Sequence, residues 1–220
     1  MTHQQAQIAW TGDVPVSTAY DDPYYSLDDG VAEGNYVFLN GNDLPGRLTP
    51  GFHIAELGFG TGLNLILALR AARSAHALPL HYTGFELHPM TAEDMVKALS
   101  AFPEIQDDAT WLVNAWAEGI DIQADDIKAK IILGDAAQTL PAWDGKADAW
   151  FLDGFAPARN PGLWSDALMA EVAGHTAAGG TVATYTAAGH VRRALDAAGF
   201  DVTRRPGFAR KRHMTTGVLR

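Results

Sequence analysis

The stretch HIAELGFGTGLNLILALR (53–70) constrains the fold more than any other part of the chain. A short apolar strand, Ile54 to Leu57, runs into glycines at alternate positions, Gly58, Gly60 and Gly62. A helical apolar pattern follows at once with Leu65, Ile66 and Leu69. Strand, glycine turn and helix in this order bring bare backbone up to a nucleoside ligand in open α/β sheets. A Cβ in such a turn would block both the positive-φ geometry and the close approach.

The alternation of strand and helix continues downstream. LHYTGFEL (80–87) reads as a strand, and Thr91 opens a helix to about residue 101 with Glu93 and Asp94 in its first turn. AKIILGDA (129–136) is a third strand ending at Asp135, and ADAWFLDGF (147–155) a fourth ending at Asp153. A helix over 163–176, a strand over 179–186, a helix over 189–198 and strands near 200–205 and 213–219 complete the pattern. Residues 103–127 fit no simple strand–helix unit and read as an excursion. Residues 1–50 are turn-rich, with YVFLN (36–40) as a short strand or turn, and are expected to pack as an extension on a domain over 51–220. Such alternation predicts an α/β fold with a largely parallel sheet covered by helices on both faces.

The chain's 220 residues suit one such domain. The absence of cysteine excludes disulfides, thiolate metal sites and a cysteine nucleophile. Eight histidines without ligand spacing argue against a metal, and neither a G-x-S-x-G elbow nor a P-loop occurs. The polar amino terminus lacks the regions of a signal peptide, and no apolar run approaches the roughly 18 residues of a membrane span, so a cytoplasmic protein away from membranes is expected. The net charge of −10 is uneven: residues 190–220 carry eight Lys/Arg against two Asp, a net of +6, leaving −16 on the rest. An acidic body with a basic carboxy-terminal end can still grip phosphates locally.

Ligands of open α/β sheets lie at the carboxyl ends of the strands. Four of those ends carry acids here, Glu56, Glu86, Asp135 and Asp153, although acids are depleted in strands. Glu86, 24 residues past Gly62, suits two free ribose hydroxyls, and Asp135 with Ala136 suits the amine and face of adenine. Taken singly, Glu86 also fits an exposed strand-end acid, Asp135 a cap and Phe155 a core aromatic. A dinucleotide fingerprint wants a third glycine where Leu63 stands, and Glu56 would repel a pyrophosphate. Both features favour the cationic S-adenosylmethionine, held by Glu56, the Gly58-Phe59-Gly60-Thr61-Gly62 turn, Asn64, Glu86, Asp135 and Ala136. Asp153 would hold the acceptor nucleophile, with Phe155, Tyr24 and Tyr25 as stacking surfaces.

ELGFGTGLN, FEL, GDA, FLDGFAPARNP with Trp164, GFARKRHM and the amino-terminal YDDPYYSLDDGVAEGNYVFLNGN together resemble the methyltransferase domain of the MnmC family. The resemblance implies a Rossmann-like class I methyltransferase fold with an antiparallel carboxy-terminal strand. It implies transfer of a methyl group from S-adenosylmethionine to the 5-aminomethyl nitrogen of a wobble uridine in tRNA, giving 5-methylaminomethyl-2-thiouridine. Asp153 would then be the catalytic acid–base group, and Arg210, Lys211 and Arg212 would meet tRNA phosphates. Many family members carry a second, FAD-dependent oxidoreductase domain; this chain resembles the methyltransferase part alone, so a separate oxidoreductase or the upstream aminomethyl-forming enzymes become expected partners. RKRH replaces the family's RKRE-like run, and Asp153-Gly-Phe-Ala-Pro replaces the N/D-P-P-Y common among base amino-methyltransferases. A small-molecule amine methyltransferase, an NAD-dependent oxidoreductase and a non-catalytic nucleotide- or RNA-binding module remain alternatives.

Overall fold

In the computed structural model, which describes residues 4–26 and 29–220, the chain opens with a small antiparallel sheet of β1 (Ile8–Thr11), β2 (Val14–Ser17) and β3 (Asp22–Pro23). Residues 1–3 of the amino-terminal extension and 27–28 of its acidic motif lie outside the described residues. Next, α1 (Gly30–Gly34) runs into a π-helical turn (Asn35–Leu39) and a 3-10 turn (Asn40–Asn42). YVFLN is therefore helical. Val37, Phe38 and Leu39 are all buried against neighbours on several sides, which a strand with one covered face could not achieve.

The main unit follows as β4 (His53–Leu57), α2 (Leu63–Ser74), β5 (Leu80–Glu86), α3 (Ala92–Leu99), α4 (Gln106–Glu118), β6 (Asp121–Gln123) and β7 (Ile127–Leu133). It continues with α5 (Ala136–Thr139), β8 (Ala147–Leu152), α6 (Asp166–Gly174), β9 (Thr176–Thr184), α7 (Gly189–Ala197), β10 (Phe200–Pro206) and β11 (His213–Leu219). These eight strands form one sheet in the order β10-β11-β9-β8-β4-β5-β7-β6. The central five are parallel; β11 runs antiparallel between β9 and β10, and β6 is antiparallel at the far edge. From β4 the chain moves outward to β5 and β7, then returns to β8 on the other side. The switch point thus lies between β4 and β8, where open α/β sheets bind ligands.

Period-2 alternation sorts the strand side chains into two layers. Ile54, Ala149 and Phe151 join α2, α3, α4 and the amino-terminal turns, while Ala55, Leu57, Trp150 and Leu152 meet α5, α6 and α7. Residues 63–69 of α2 are all buried, so this helix is sandwiched and shows no polar stripe there. The expected excursion over 103–127 contains a thirteen-residue helix, α4. Its buried stripe of Ala109, Leu112 and Val113 is short, and the Thr110, Trp111 and Trp116 around it obscure the helical period. Among the described residues no helix is long and apolar enough to cross a membrane.

Asn42 ties the amino-terminal turns to the sheet. Its amide donates to the carbonyls of Phe38 (2.9 Å) and Trp150 (3.3 Å) and accepts from Thr181 Oγ1 (2.6 Å). Arg47 adds bonds to the Asn42 and Asp148 carbonyls, each 3.1 Å, and to Thr181 (2.6 Å). Replacing Asn42 by Ala leaves buried partners unmet, at a cost of about 1–3 kcal/mol. A urea unfolding curve should show the lowered midpoint; an unchanged curve would refute this anchoring role.

Candidate active site

The glycine turn takes its shape from two strand ends. The Gly58 N–H donates to the Phe85 carbonyl (3.0 Å), and the Asp153 N–H to the Leu57 carbonyl (3.0 Å), drawing the tips of β5 and β8 to β4. Gly58 sits at φ 86°, and a Cβ there would overlap the Asp153 carbonyl. Gly62, at φ 77°, caps α2 with no room beside Leu112. Phe59 is buried and stacks on Trp116 at 5.4 Å, bracing the turn from behind, and the Thr61 hydroxyl accepts from the Leu63 N–H at 3.3 Å.

A cavity of about 630 Å³ opens in front of this turn. Glu86 stands at its wall, held by the N–H groups of Gly60 and His88, each 2.8 Å from one carboxylate oxygen. Each oxygen keeps capacity for a further donor. Burial pushes the Glu86 carboxyl up from its usual value, against the lowering effect of these bonds. Asp135 is exposed at the rim, where it caps α5 by accepting from the Ala137 N–H at 2.9 Å, with Ala136 beside it in the wall.

Glu56 departs from expectation. It does not line the cavity: it is fully buried behind Asn64, accepting from Asn64 Nδ2 (2.7 Å) and Tyr82 Oη (2.6 Å). The β4 pleat turns it toward α2, away from the ligand. Asn64 Nδ2 also donates to Asp153 Oδ2 at 2.7 Å, so one amide joins the two acids. Burial first, and Glu33 second, push the Asp153 carboxyl up from 3.8 to about 7, opposed by Asn64 and Lys211.

Opposite the turn the wall is aromatic. Phe155 stacks on Tyr20 at 4.8 Å and meets Tyr24 edge-on at 5.0 Å, and Tyr24 lies against Gly60. Tyr25 touches the cavity, but its hydroxyl is committed to the Asp13 and Ala98 carbonyls and its ring packs on Phe102. It is the poorer stacking surface. The Trp164 Nε1–H donates to the Phe155 carbonyl (2.8 Å) and so fixes the loop after β8.

The basic run divides. Arg212 is exposed and outside the cavity, and Arg210 is exposed at its edge. Lys211, expected on phosphates, instead turns inward: its Nζ is 2.7 Å from Glu33 and 4.1 Å from the centre of the Tyr185 ring. An uncompensated acid in the wall is a stronger attraction than solvent for a cation within reach. Glu33, Tyr185 and Tyr20 were missed in the sequence. Only Tyr185 was accessible to the strand-end rule, as the residue after β9.

Residues 102–220 match the family described as S-adenosyl-L-methionine-dependent methyltransferase. The chain belongs to that family. This methyltransferase is also 43% identical over 227 residues to the tRNA 5-methylaminomethyl-2-thiouridine biosynthesis bifunctional protein MnmC of Caulobacter sp. (strain K31), covering 96% of this chain and 38% of that protein. The MnmC of Pseudoalteromonas atlantica is 42% identical, covering 100% of this chain and 34% of the relative. The chain thus spans little more than a third of these relatives. The crystal structure of MnmC2 from Aquifex aeolicus superposes with a TM-score of 0.82 at 25% identity, over 99% of this chain and 71% of that one. Spermidine synthase from Thermotoga maritima shares the fold alone, at a TM-score of 0.58 and 10% identity. The motif-based MnmC resemblance and the class I fold are borne out, and the oxidoreductase alternative is overturned by the family match.

The methyltransferase site fits its cofactor. The glycines let the turn close against Asp153, Tyr24 and Leu112 while Gly58, Gly60 and Thr61 line the cavity, and Glu86 offers a fixed acceptor pair for ribose hydroxyls. Glu33, Glu86, Asp135 and Asp153 line the same cavity, so its field favours a sulfonium cation over a pyrophosphate. Leu63, at the dinucleotide glycine position, is buried in the first turn of α2. Among the described residues no cluster of three His, Asp or Glu is arranged to hold a metal. A Gly58→Ala substitution combines left-handed strain with the overlap on Asp153 and should weaken S-adenosylmethionine binding by about tenfold or more. Calorimetry beside Gly51→Ala, an equally left-handed glycine outside the cavity (φ 82°), controls for a general effect of backbone strain on the fold. Equal affinities for both variants and wild type would count against the turn as the cofactor cradle.

Proposed function

We propose that this methyltransferase acts on the 5-aminomethyl nitrogen of a wobble (thio)uridine in tRNA, forming 5-methylaminomethyl-2-thiouridine. The observation that carries the reading is Asp153: a cavity-lining carboxyl at about 7, beside Glu33 and facing aromatic rings. The names of the MnmC relatives support the acceptor, and the exposed Arg210 and Arg212 supply a basic edge for phosphates. The residues of this chain account for methyl transfer; an FAD-dependent oxidoreductase or the aminomethyl-forming enzymes would prepare the amine.

S-adenosylmethionine, when bound, supplies a methyl group activated by its sulfonium. Glu86 would hold its ribose, Asp135 and Ala136 its adenine, and the Gly58–Gly62 backbone its amino-acid part. An alkylammonium has no lone pair, so the acceptor must lose a proton before it can attack. Asn64 occupies Asp153 Oδ2, which leaves Oδ1 to accept a hydrogen bond from the amine and take its proton. A carboxyl at about 7 does so at neutral pH far better than an ordinary aspartate. Phe155, Tyr20 and Tyr24 would exclude water and stack on the base.

Asp153→Asn removes the proton acceptor and should lower kcat by about 10²–10⁴-fold on aminomethyl-uridine tRNA. In the wild type, kcat should rise with pH and level off above about 7. A carboxyl with a folded value above its unfolded one costs stability as pH rises from about 4 to about 7. The same variant should therefore be at least as stable as wild type at pH 8, separating lost chemistry from lost folding. Undiminished turnover would sink the assignment. Mass spectrometry of tRNA nucleosides, with a small alkylamine as the competing acceptor, tests the substrate itself; the chain's net charge of −10 is the feature that favours the small amine.

A further inference from the structure

Lys211 poses a chemical question that phosphate binding does not answer. It lies in the loop between β10 and β11, on the basic edge, yet its ammonium enters the cavity. There it meets the Glu33 carboxylate from α1 and the face of Tyr185 from the end of β9. The carboxylate is the fixed partner: the Glu33 side chain is 12% exposed, whereas that of Lys211 is 43% exposed. Tyr185 is fixed too, since its hydroxyl donates to the Gly154 carbonyl at 2.7 Å and its ring meets Trp164 edge-on. Acid and aromatic face thus form a rigid receptor for a cation, and a side chain from a surface loop fills it.

The receptor adjoins the reacting carboxyl. Glu33 and Lys211 both act on Asp153, in opposite senses, and Tyr185 feels Asp153 and Glu33 in turn. Lysine ends in CH2–NH3⁺, and so does an aminomethyl substituent. The two groups match in charge, donor number and width. We infer that Glu33 and Tyr185 form the subsite for the acceptor's primary ammonium, next to Asp153, and that Lys211 occupies that subsite until the acceptor displaces it. This rests on the aminomethyl-uridine reading. One ammonium replaces another on Glu33, so the exchange leaves no buried acid unpaired. The released Lys211 returns to the basic edge, where a polyanionic acceptor can take up its charge.

The test measures equilibrium binding of two nucleosides, 5-aminomethyluridine and 5-methyluridine, to wild type, Lys211→Ala and Glu33→Gln. Lys211→Ala removes the competing ammonium and should tighten 5-aminomethyluridine by about threefold or more, in keeping with a half-exposed ion pair, while leaving 5-methyluridine unchanged. Glu33→Gln should weaken 5-aminomethyluridine alone, and Glu33→Asp should recover part of the loss. An unchanged far-ultraviolet circular dichroism spectrum in each variant establishes that it is folded. Weaker 5-aminomethyluridine binding in Lys211→Ala, or equal affinity of that variant for the two nucleosides, would overturn the subsite. Those results leave the methyltransferase reading standing; that reading fails instead if wild type leaves aminomethyl-uridine tRNA unmethylated.

Discussion

One side-chain amide holds the reacting end of this site together. Asn64 Nδ2 donates to both Glu56 and Asp153, each at 2.7 Å, and so links α2 to the tips of β4 and β8. The arrangement works because the two carboxyls are not equivalent. Glu56 is enclosed, and burial together with the Asp153 charge holds it far on the neutral side of its usual range. Asp153 faces the cavity and stays within reach of neutral pH. The shared amide keeps the two acids apart without requiring both to be ionised, which their proximity would oppose. Under the proposed role of Asp153, Glu56 would serve the reaction at one remove, by setting where Asn64 points.

The same logic governs the rest of the cavity. Glu33, Glu86, Asp135 and Asp153 gather at one end of the sheet, with Lys211 the cation paired to Glu33 in the wall. Clustered acids cost folding stability, and burial raises both Glu86 and Asp153 above their ordinary values. A sulfonium cofactor supplies positive charge to that cluster, as would the proposed ammonium acceptor. The cavity is thus electrostatically incomplete in a way that two cationic groups relieve, and a pyrophosphate would aggravate.

The strand-end residues proposed for the donor were legible in the sequence because they follow local rules. The alternate glycines, the position of Glu86 and the Asp135 cap each sit at a strand end whose period-2 pattern is plain. Two departures have one origin each. Glu56 obeys the pleat, and the pleat sends it into the core layer shared with Tyr82, which spacing alone does not reveal. Lys211 answers to a long-range pairing with Glu33, 178 residues away, and charge counting along the chain cannot see such a partner. Helix α4 and the helical 35–42 segment were hidden for a related reason. The 35–42 segment buries Val37, Phe38 and Leu39 in succession, so no single stripe shows, while the buried stripe of α4 is only Ala109, Leu112 and Val113, with the half-buried Trp111 and Trp116 beside it.

This division follows the architecture. The parallel core supplies the residues proposed for the methyl donor, the glycine turn, Glu86 and Asp135 at the ends of β4, β5 and β7, and the proposed base Asp153 at the end of β8. The rest of the proposed acceptor side is added by segments flanking the core. Tyr20, Tyr24 and Glu33 come before β4, Lys211 comes from the loop before β11, and the Asp22 carboxylate pins β3 to the post-β8 loop by accepting from the Ala156 N–H at 2.7 Å. A core that fixes the donor leaves the flanking segments free to specify the acceptor. Under the proposed function, an amine carried on a polyanion would engage the Glu33 acid from before β4, the Tyr185 face at the end of β9 and the movable positive charge of the loop before β11. A ligand bearing both charges would then satisfy the two together, which a free amine of the same reactivity would not.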